Sequence, residues 1–155
     1  MALSIGDTVA PFSLSTDDGA AFSEANLVGK RTVLYFYPKD DTPGCTKEAQ
    51  AFRDMIEAFQ AAGVAVVGVS TDSVASHQKF KAKHGLNFPL LADQDRTLAE
   101  AFGVWVEKSM YGKKYMGLER ASFLIDESGV VRQVWRKVKV PGHADAVLSA
   151  AKALG

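Results

Sequence analysis

Among its 155 residues the chain carries one cysteine, Cys45, in a setting that suits a reactive group. Cys45 follows Lys39-Asp-Asp-Thr-Pro-Gly44, a stretch rich in loop formers. It precedes a segment in which Ala49, Phe52, Met55, Ile56 and Phe59 recur at three- and four-residue steps, the apolar stripe of a helix. A lone cysteine taken at random is most often a small buried hydrophobe. A thiol at a helix start, by contrast, faces unpaired backbone N–H groups and the positive end of the helix dipole, which favour its thiolate. The expected chemistry is therefore nucleophilic or redox. Thr42-Pro-Gly-Cys45 has the shape of a Cys-x-x-Cys motif whose first cysteine is replaced, so ordinary dithiol exchange cannot run. His77, His84 and His143 are scattered without an evident third ligand; they are expected to be solvated, and no metal site is expected. No glycine-rich phosphate loop is present, so no nucleotide or other cofactor is expected.

The elements that must position Cys45 follow from periodicity and punctuation. Phe12–Thr16 and Ala20–Phe22 flank Asp17-Asp18-Gly19 and predict an N-terminal hairpin, and Ser23 caps a single helical turn to Val28. Thr32–Tyr37 is a continuous β-branched and aromatic run, predicting a strand buried on both faces and stopped by Pro38. One helix is expected from Cys45 to about Ala62, closed by Gly63. A buried strand (Val64–Ser70), a helix to His84 capped by Asp72 or Ser73, a short strand (Phe88–Ala92) and a short helix (Arg96–Phe102) come next. Val104–Leu118 reads as irregular, with Trp105, Met110, Tyr111, Tyr115 and Met116 available for a wall near the site or a partner contact; core packing is the default for Trp105 and Met110. Ser122–Asp126 and Val130–Trp135 flank Glu127-Ser-Gly129 as a second hairpin, and Ala144–Leu154 forms the last helix. The early β-α-β-α-β alternation predicts parallel strands with crossover helices, and the late hairpin adds antiparallel ones. The fold class is α/β: a mixed central sheet flanked by helices, thioredoxin-like, with residues 1–155 as one domain.

Composition bounds the function classes. Apolar residues make up 47% and charged residues 23%, with 18 basic and 18 acidic side chains in balance. That balance argues against nucleic-acid and membrane-surface partners, which usually show as a basic excess. No stretch approaches the ~18 apolar residues of a membrane helix. Residues 1–7 lack a basic segment followed by an apolar run, so a secretory leader is not expected, and a single thiol suits the reducing cytoplasm.

The spacing Pro38-x-x-x-Thr42-x-x-Cys45 resembles the active-site signature of peroxiredoxins. The likeness extends along nearly the whole chain. Gly6-Asp7 with Pro11-Phe12, Pro43–Ala49, Val104–Lys108, Tyr111-Gly112 and Arg120–Asp126 resemble the Q subfamily, the bacterioferritin comigratory proteins. The resemblance implies a thiol-dependent peroxidase acting on hydrogen peroxide and organic hydroperoxides. It makes Cys45 the nucleophile, has Thr42 offer its hydroxyl to the peroxide or thiolate, has Pro38 shield the pocket from water, and sets Arg120 beside the sulfur and the departing oxygen. Backbone N–H groups near Gly44 and Cys45 would complete the anion site. Glu48, one turn past Cys45, would hydrogen-bond within the pocket or merely favour the helix N-terminus; the resemblance leans to the pocket.

A free thiol with pKa ~8.5 is only about 3% thiolate at pH 7, so full ionisation gains at most roughly 30-fold in rate. Enzymes typically accelerate by ~10⁶ or more, so most of the rate must come from holding the peroxide in line and stabilising the leaving oxyanion. The chain departs from the family in one respect. Many Q-type members carry a second cysteine five residues after the first, where this chain has Gln50, or in the following helix, where Ser73–His84 holds none. The expected cycle therefore uses one cysteine: a sulfenic acid at Cys45 is recycled by an external thiol such as glutathione, glutaredoxin or thioredoxin. The resemblance leans to a monomer. Competing readings are a redox sensor or partner-binding protein that uses Cys45 as a switch, and a protein-disulfide oxidoreductase, which the missing second thiol disfavours.

Overall fold

The computed structural model describes residues 3–154. Residues 1 and 2 of the stretch read for a leader, and residue 155 of the expected domain span, lie outside the described residues. Seven strands form one mixed sheet in the order β2-β1-β5-β4-β3-β8-β9. At its centre β3 (Arg31–Phe36) runs parallel to β4 (Val64–Ser70), and β4 runs parallel to β5 (Leu90–Ala92). On one side β1 (Ser13–Thr16) and β2 (Ala21–Ser23) form the expected N-terminal hairpin, turning on Asp17–Gly19, and β1 pairs antiparallel with β5. On the other side β8 (Ala121–Ile125) runs antiparallel to β3 and pairs with β9 (Val131–Trp135).

The β3 strand shows why the central run contains no polar alternation. Val33, Tyr35 and Tyr37 point into one apolar cluster, with Phe52, Val66, Phe80 and Val147; Leu34 and Phe36 point into another, with Val69, Phe102 and Phe123. A strand covered on both faces needs apolar residues at both parities. The helices supply the cover: α1 (Pro43–Asp54), α2 (Ile56–Ala61), α3 (Val74–His84) and α5 (His143–Ala153) contribute to the first cluster, and α4 (Thr97–Ala101) to the second.

Two expectations are corrected. The single helix expected from Cys45 to Ala62 starts two residues earlier, at Pro43, and breaks at Met55 (φ −104°, ψ 5°) into α1 and α2. No Pro or Gly marks that break, and the apolar stripe runs through it, so periodicity alone gives a continuous helix. The segment read as irregular is a separate hairpin, β6 (Trp105–Met110) paired with β7 (Lys113–Leu118). Its two-residue turn puts Tyr111 (φ 52°) and Gly112 (φ 77°) both in the left-handed region, which a type I′ hairpin requires. Tyrosine in the place usually held by Asn or Asp hides the turn. Met110 is 56% exposed and so not in the core, whereas Trp105 is half-buried with the Arg96 guanidinium 5.1 Å from its ring centroid.

Candidate active site

The site is built where the carboxyl end of β3 meets the start of α1. Tyr37 ends the buried run, Pro38 halts the ladder, and the chain turns through Lys39–Asp41 into Thr42, the N-cap of α1. Pro43 occupies the first helical position, where its missing N–H costs nothing and its fixed φ suits the helix. Gly44 and Cys45 follow in the first turn, so their backbone N–H groups have no partner within the helix. Cys45 is on the inner face of α1; Glu48, Ala49 and Phe52, at the third, fourth and seventh positions after it, are buried with it.

Arg120 reaches this point through sheet register. It immediately precedes β8, and Ala121 pairs with Phe36 at the end of β3. The antiparallel start of β8 therefore lies beside the parallel strand's carboxyl end. The Arg120 carbonyl accepts from the Val138 N–H at 3.0 Å, which ties the backbone there. Its guanidinium donates from Nη2 to Cys45 Sγ at 3.5 Å and from Nη1 to Glu48 Oε1 at 2.7 Å. Gly44 makes room for this: a Cβ on Gly44 would lie 3.2 Å from Arg120 Nη2.

The electrostatics follow from burial. Glu48 is 2% exposed, and removal from water raises its carboxyl to about 7 against the pull of the Arg120 charge and hydrogen bond. Its second oxygen, Oε2, and the hydroxyl of Tyr35 are buried with no hydrogen-bond partner among the described residues. Burial also raises the Tyr35 phenol well above its ordinary value, reinforced by the Glu48 and Cys45 charges, so it remains a neutral O–H. Lys108, half-buried on β6, is lowered by desolvation and then by the Arg120 charge, with Cys45 acting in the opposite sense.

Four of the six residues singled out from sequence are brought together: Cys45, Arg120, Glu48 and Gly44. Thr42 is half-buried, and its hydroxyl donates to the Lys39 carbonyl at 2.8 Å, the loop bond that a structural threonine would make. With that proton committed, the oxygen retains acceptor capacity, which suits a peroxide O–H better than a thiolate. Pro38 is half-buried at the strand end. The thiol shares the burial usual for a lone cysteine: Cys45 is 1% exposed and packs with Tyr35, Ala49 and Phe52 in the first core cluster. The helix face that points it at Arg120 is the face that builds the core.

The expectation of solvated histidines is corrected. His77 is fully buried and His143 is 7% exposed. His143 Nε2 lies 2.7 Å from the Ser122 hydroxyl, and burial, helped by the Arg120 charge, holds its imidazole down at about 4, hence neutral near pH 7. His77 Nδ1 lies 2.7 Å from Asp40 Oδ2, and its Nε2 lies 2.8 Å from the Leu91 carbonyl. Asp40, Asp72 and His77 bring candidate ligand atoms within 4.8 Å of one another, but those atoms are engaged in hydrogen bonds with one another and with the loop. Nothing in residue spacing announced this network; the signal was the Asp40–Asp41 pair in the cysteine loop, read there only as loop composition.

Among the described residues no helix is long and apolar enough to cross a membrane. The AhpC/TSA family model matches residues 5–134. Peroxiredoxin Bcp of Xanthomonas campestris is 51% identical over 140 residues, covering 90% of this chain and 88% of the relative. Peroxiredoxin Bcp of Bacillus subtilis is 48% identical over 152 residues, covering 98% and 97%. A solved structure of the Xanthomonas campestris bacterioferritin comigratory protein, described in connection with its alkyl peroxide reduction activity, superposes with a TM-score of 0.88 at 50% identity, covering 92% of this chain and 91% of that one. A cysteine-to-serine variant of Xylella fastidiosa PrxQ gives a TM-score of 0.95 at 40% identity, covering 99% and 98%. A sulfur at a helix start beside a braced guanidinium, carried on this sheet and matched over this length, places the chain in the AhpC/TSA family of peroxiredoxins.

Proposed function

We propose that the protein reduces hydrogen peroxide and alkyl hydroperoxides at Cys45 and is recycled by an external thiol. The observation that carries this reading is the Arg120 guanidinium, donating to Cys45 Sγ at 3.5 Å while Glu48 holds its other nitrogen at 2.7 Å. A fixed cation next to the sulfur stabilises both the attacking thiolate and the oxyanion that leaves, and it needs no reorganisation at the moment of reaction. The first-turn N–H groups of α1 add donors at the same place.

In the first step the Cys45 thiolate attacks the nearer peroxide oxygen. An S–O bond forms, the O–O bond breaks, sulfur is oxidised by two electrons, and the departing hydroxide or alkoxide takes up a proton to leave as water or alcohol. Thr42 supplies an acceptor for the peroxide O–H, and Pro38 limits water at the mouth. The chain holds no second cysteine, so the sulfenic acid condenses with an external thiol to give a mixed disulfide and water. A second thiol then attacks that disulfide, restoring Cys45 and releasing the oxidised reductant. Glutathione, glutaredoxin and thioredoxin all meet this chemical requirement. A monomer working in the cytoplasm, where reduced thiols are abundant, fits such a cycle.

The test is peroxide consumption with each reductant, using Cys45→Ser as the control. Turnover that vanishes in the variant supports the reading; equal turnover in both rejects it. The lack of a second cysteine to resolve the sulfenic acid favours a second reading, a redox sensor that is oxidised but turns over poorly. Stoichiometric oxidation without multiple turnovers under every reductant would select the sensor.

A further inference from the structure

The loop that delivers Cys45 to its helix is fastened to α3 by buried groups that the peroxide step does not use. The Asp40 carboxylate accepts from the Tyr37 hydroxyl at 2.6 Å through Oδ1, and from the Ser76 hydroxyl at 2.8 Å through Oδ2. His77 Nδ1 lies 2.7 Å from the same Oδ2. The Asp40 backbone N–H donates to Asp72 Oδ2 at 2.8 Å, and Asp72 accepts in turn from the Ser70 hydroxyl at 2.6 Å. The next residue, Asp41, sits in the left-handed region at φ 60° and is held to the end of α3 by Lys83 at 2.8 Å and His84 at 2.9 Å.

The proton content of this cluster can be reasoned out. His77 Nε2 faces a carbonyl, which can only accept, so that nitrogen carries a proton. Nδ1 faces a carboxylate oxygen that already receives a hydroxyl, so it too is placed to donate. An imidazole that donates from both nitrogens is an imidazolium. Burial works against that charge, but the Asp40 hydrogen bond and charge outweigh it, and the net effect raises His77 above the ordinary imidazole value. A fully buried imidazolium paired with a nearly buried carboxylate is costly to break from one side, because the survivor keeps an uncompensated charge.

We propose that His77 and Asp40 form a positioning clamp that fixes residues 38–44 against α3 and thereby sets where Cys45 and the first-turn N–H groups stand relative to Arg120. Neither residue touches the sulfur; both act through the loop. The proposal rests on the peroxidase reading above.

The test is rapid-mixing oxidation of Cys45 by hydrogen peroxide, run beside alkylation of the same thiol by iodoacetamide. Alkylation needs access and a thiolate; the peroxide step also needs aligned donors. His77→Leu is expected to slow oxidation about 10- to 100-fold, the loss typical of an approximately 1 Å misplacement, while alkylation is not slowed. Asp40→Asn is expected to behave alike, and the double variant to be no slower than the slower single one, because both remove the same clamp. A folded His77→Leu that oxidises at the wild-type rate overturns the proposal, and so does an equal slowing of both reactions. If His77→Leu does not fold, Ser76→Ala removes one donor from the same carboxylate and is expected to slow oxidation a few-fold; an unchanged rate there also overturns it. Wild-type protein that shows no fast oxidation would instead reject the peroxidase reading, so the two failures are distinguishable.

Discussion

In the proposed mechanism Arg120 carries the most weight, because among the described residues it alone bridges the sulfur and a buried carboxylate. Arg120→Ala is expected to lose far more oxidation rate than its effect on the thiolate fraction explains, since full ionisation of an ordinary thiol is worth at most roughly 30-fold. Measuring the thiolate absorbance and the peroxide rate on the same sample checks this, and a rate loss equal to the lost thiolate fraction would refute it. Gly44→Ala probes the same contact by sterics. Its Cβ would meet Nη2 at 3.2 Å, so the guanidinium must give way, and slower oxidation with an intact fold is expected by stopped-flow and circular dichroism. Glu48 and His143 set opposing pH dependences. Glu48 is raised to about 7, so its contribution to stability is complete below its unfolded value of about 4.5 and is lost as pH rises through about 7, a change of at most about 3 kcal/mol. His143 is held down at about 4, so its contribution is present above about 6.5 and is lost as pH falls towards 4. Urea titrations at pH 5 and 8 should therefore show Glu48→Gln gaining stability relative to wild type at the higher pH and His143→Gln gaining at the lower.

At the scale of elements, helix α1 does two things at once: its first turn carries Cys45 among N–H groups with no partner within the helix, and its inner face packs the core. The second role explains why the thiol is covered. Both roles were legible, one from Cys45 at an expected helix start after a run of loop formers and the other from the stripe through Ala49 and Phe52, although the helix begins two residues earlier, at Pro43. The break at Met55 was not, because it leaves no Pro or Gly in the sequence and keeps the apolar stripe unbroken. The β6–β7 hairpin was hidden by Tyr111, whose left-handed backbone is unusual for a bulky residue, although Tyr111-Gly112 has the length of a two-residue turn. In the proposed cycle the chain, with Gln50 rather than a second cysteine on α1, leaves recycling to an external thiol. Peroxide followed by excess glutathione is expected to leave one glutathione on Cys45 in the mass spectrum of the single chain. A disulfide-linked dimer as the only productive species would contradict one-cysteine recycling.

Across the whole molecule, the site is a product of strand order. Placing β8 antiparallel to β3 brings a residue 75 positions away in sequence to the sulfur. Motif resemblance pointed to Arg120, but local patterning could not, because register between distant strands is not written in either strand alone. The same holds for His77 and Asp40, which meet only once α3 packs against the sheet. The composition predicted neither buried histidine, since scattered imidazoles look alike until their partners are known. If positioning dominates ionisation, the most direct check is the rate of Cys45 oxidation by hydrogen peroxide, compared with free cysteine at equal thiolate concentration. The wild-type protein should react faster by at least about 10³-fold, the scale that oriented reactants and fixed donors supply. A rate equal to that of free cysteine would mean that the guanidinium, the helix start and the loop contribute nothing beyond deprotonation.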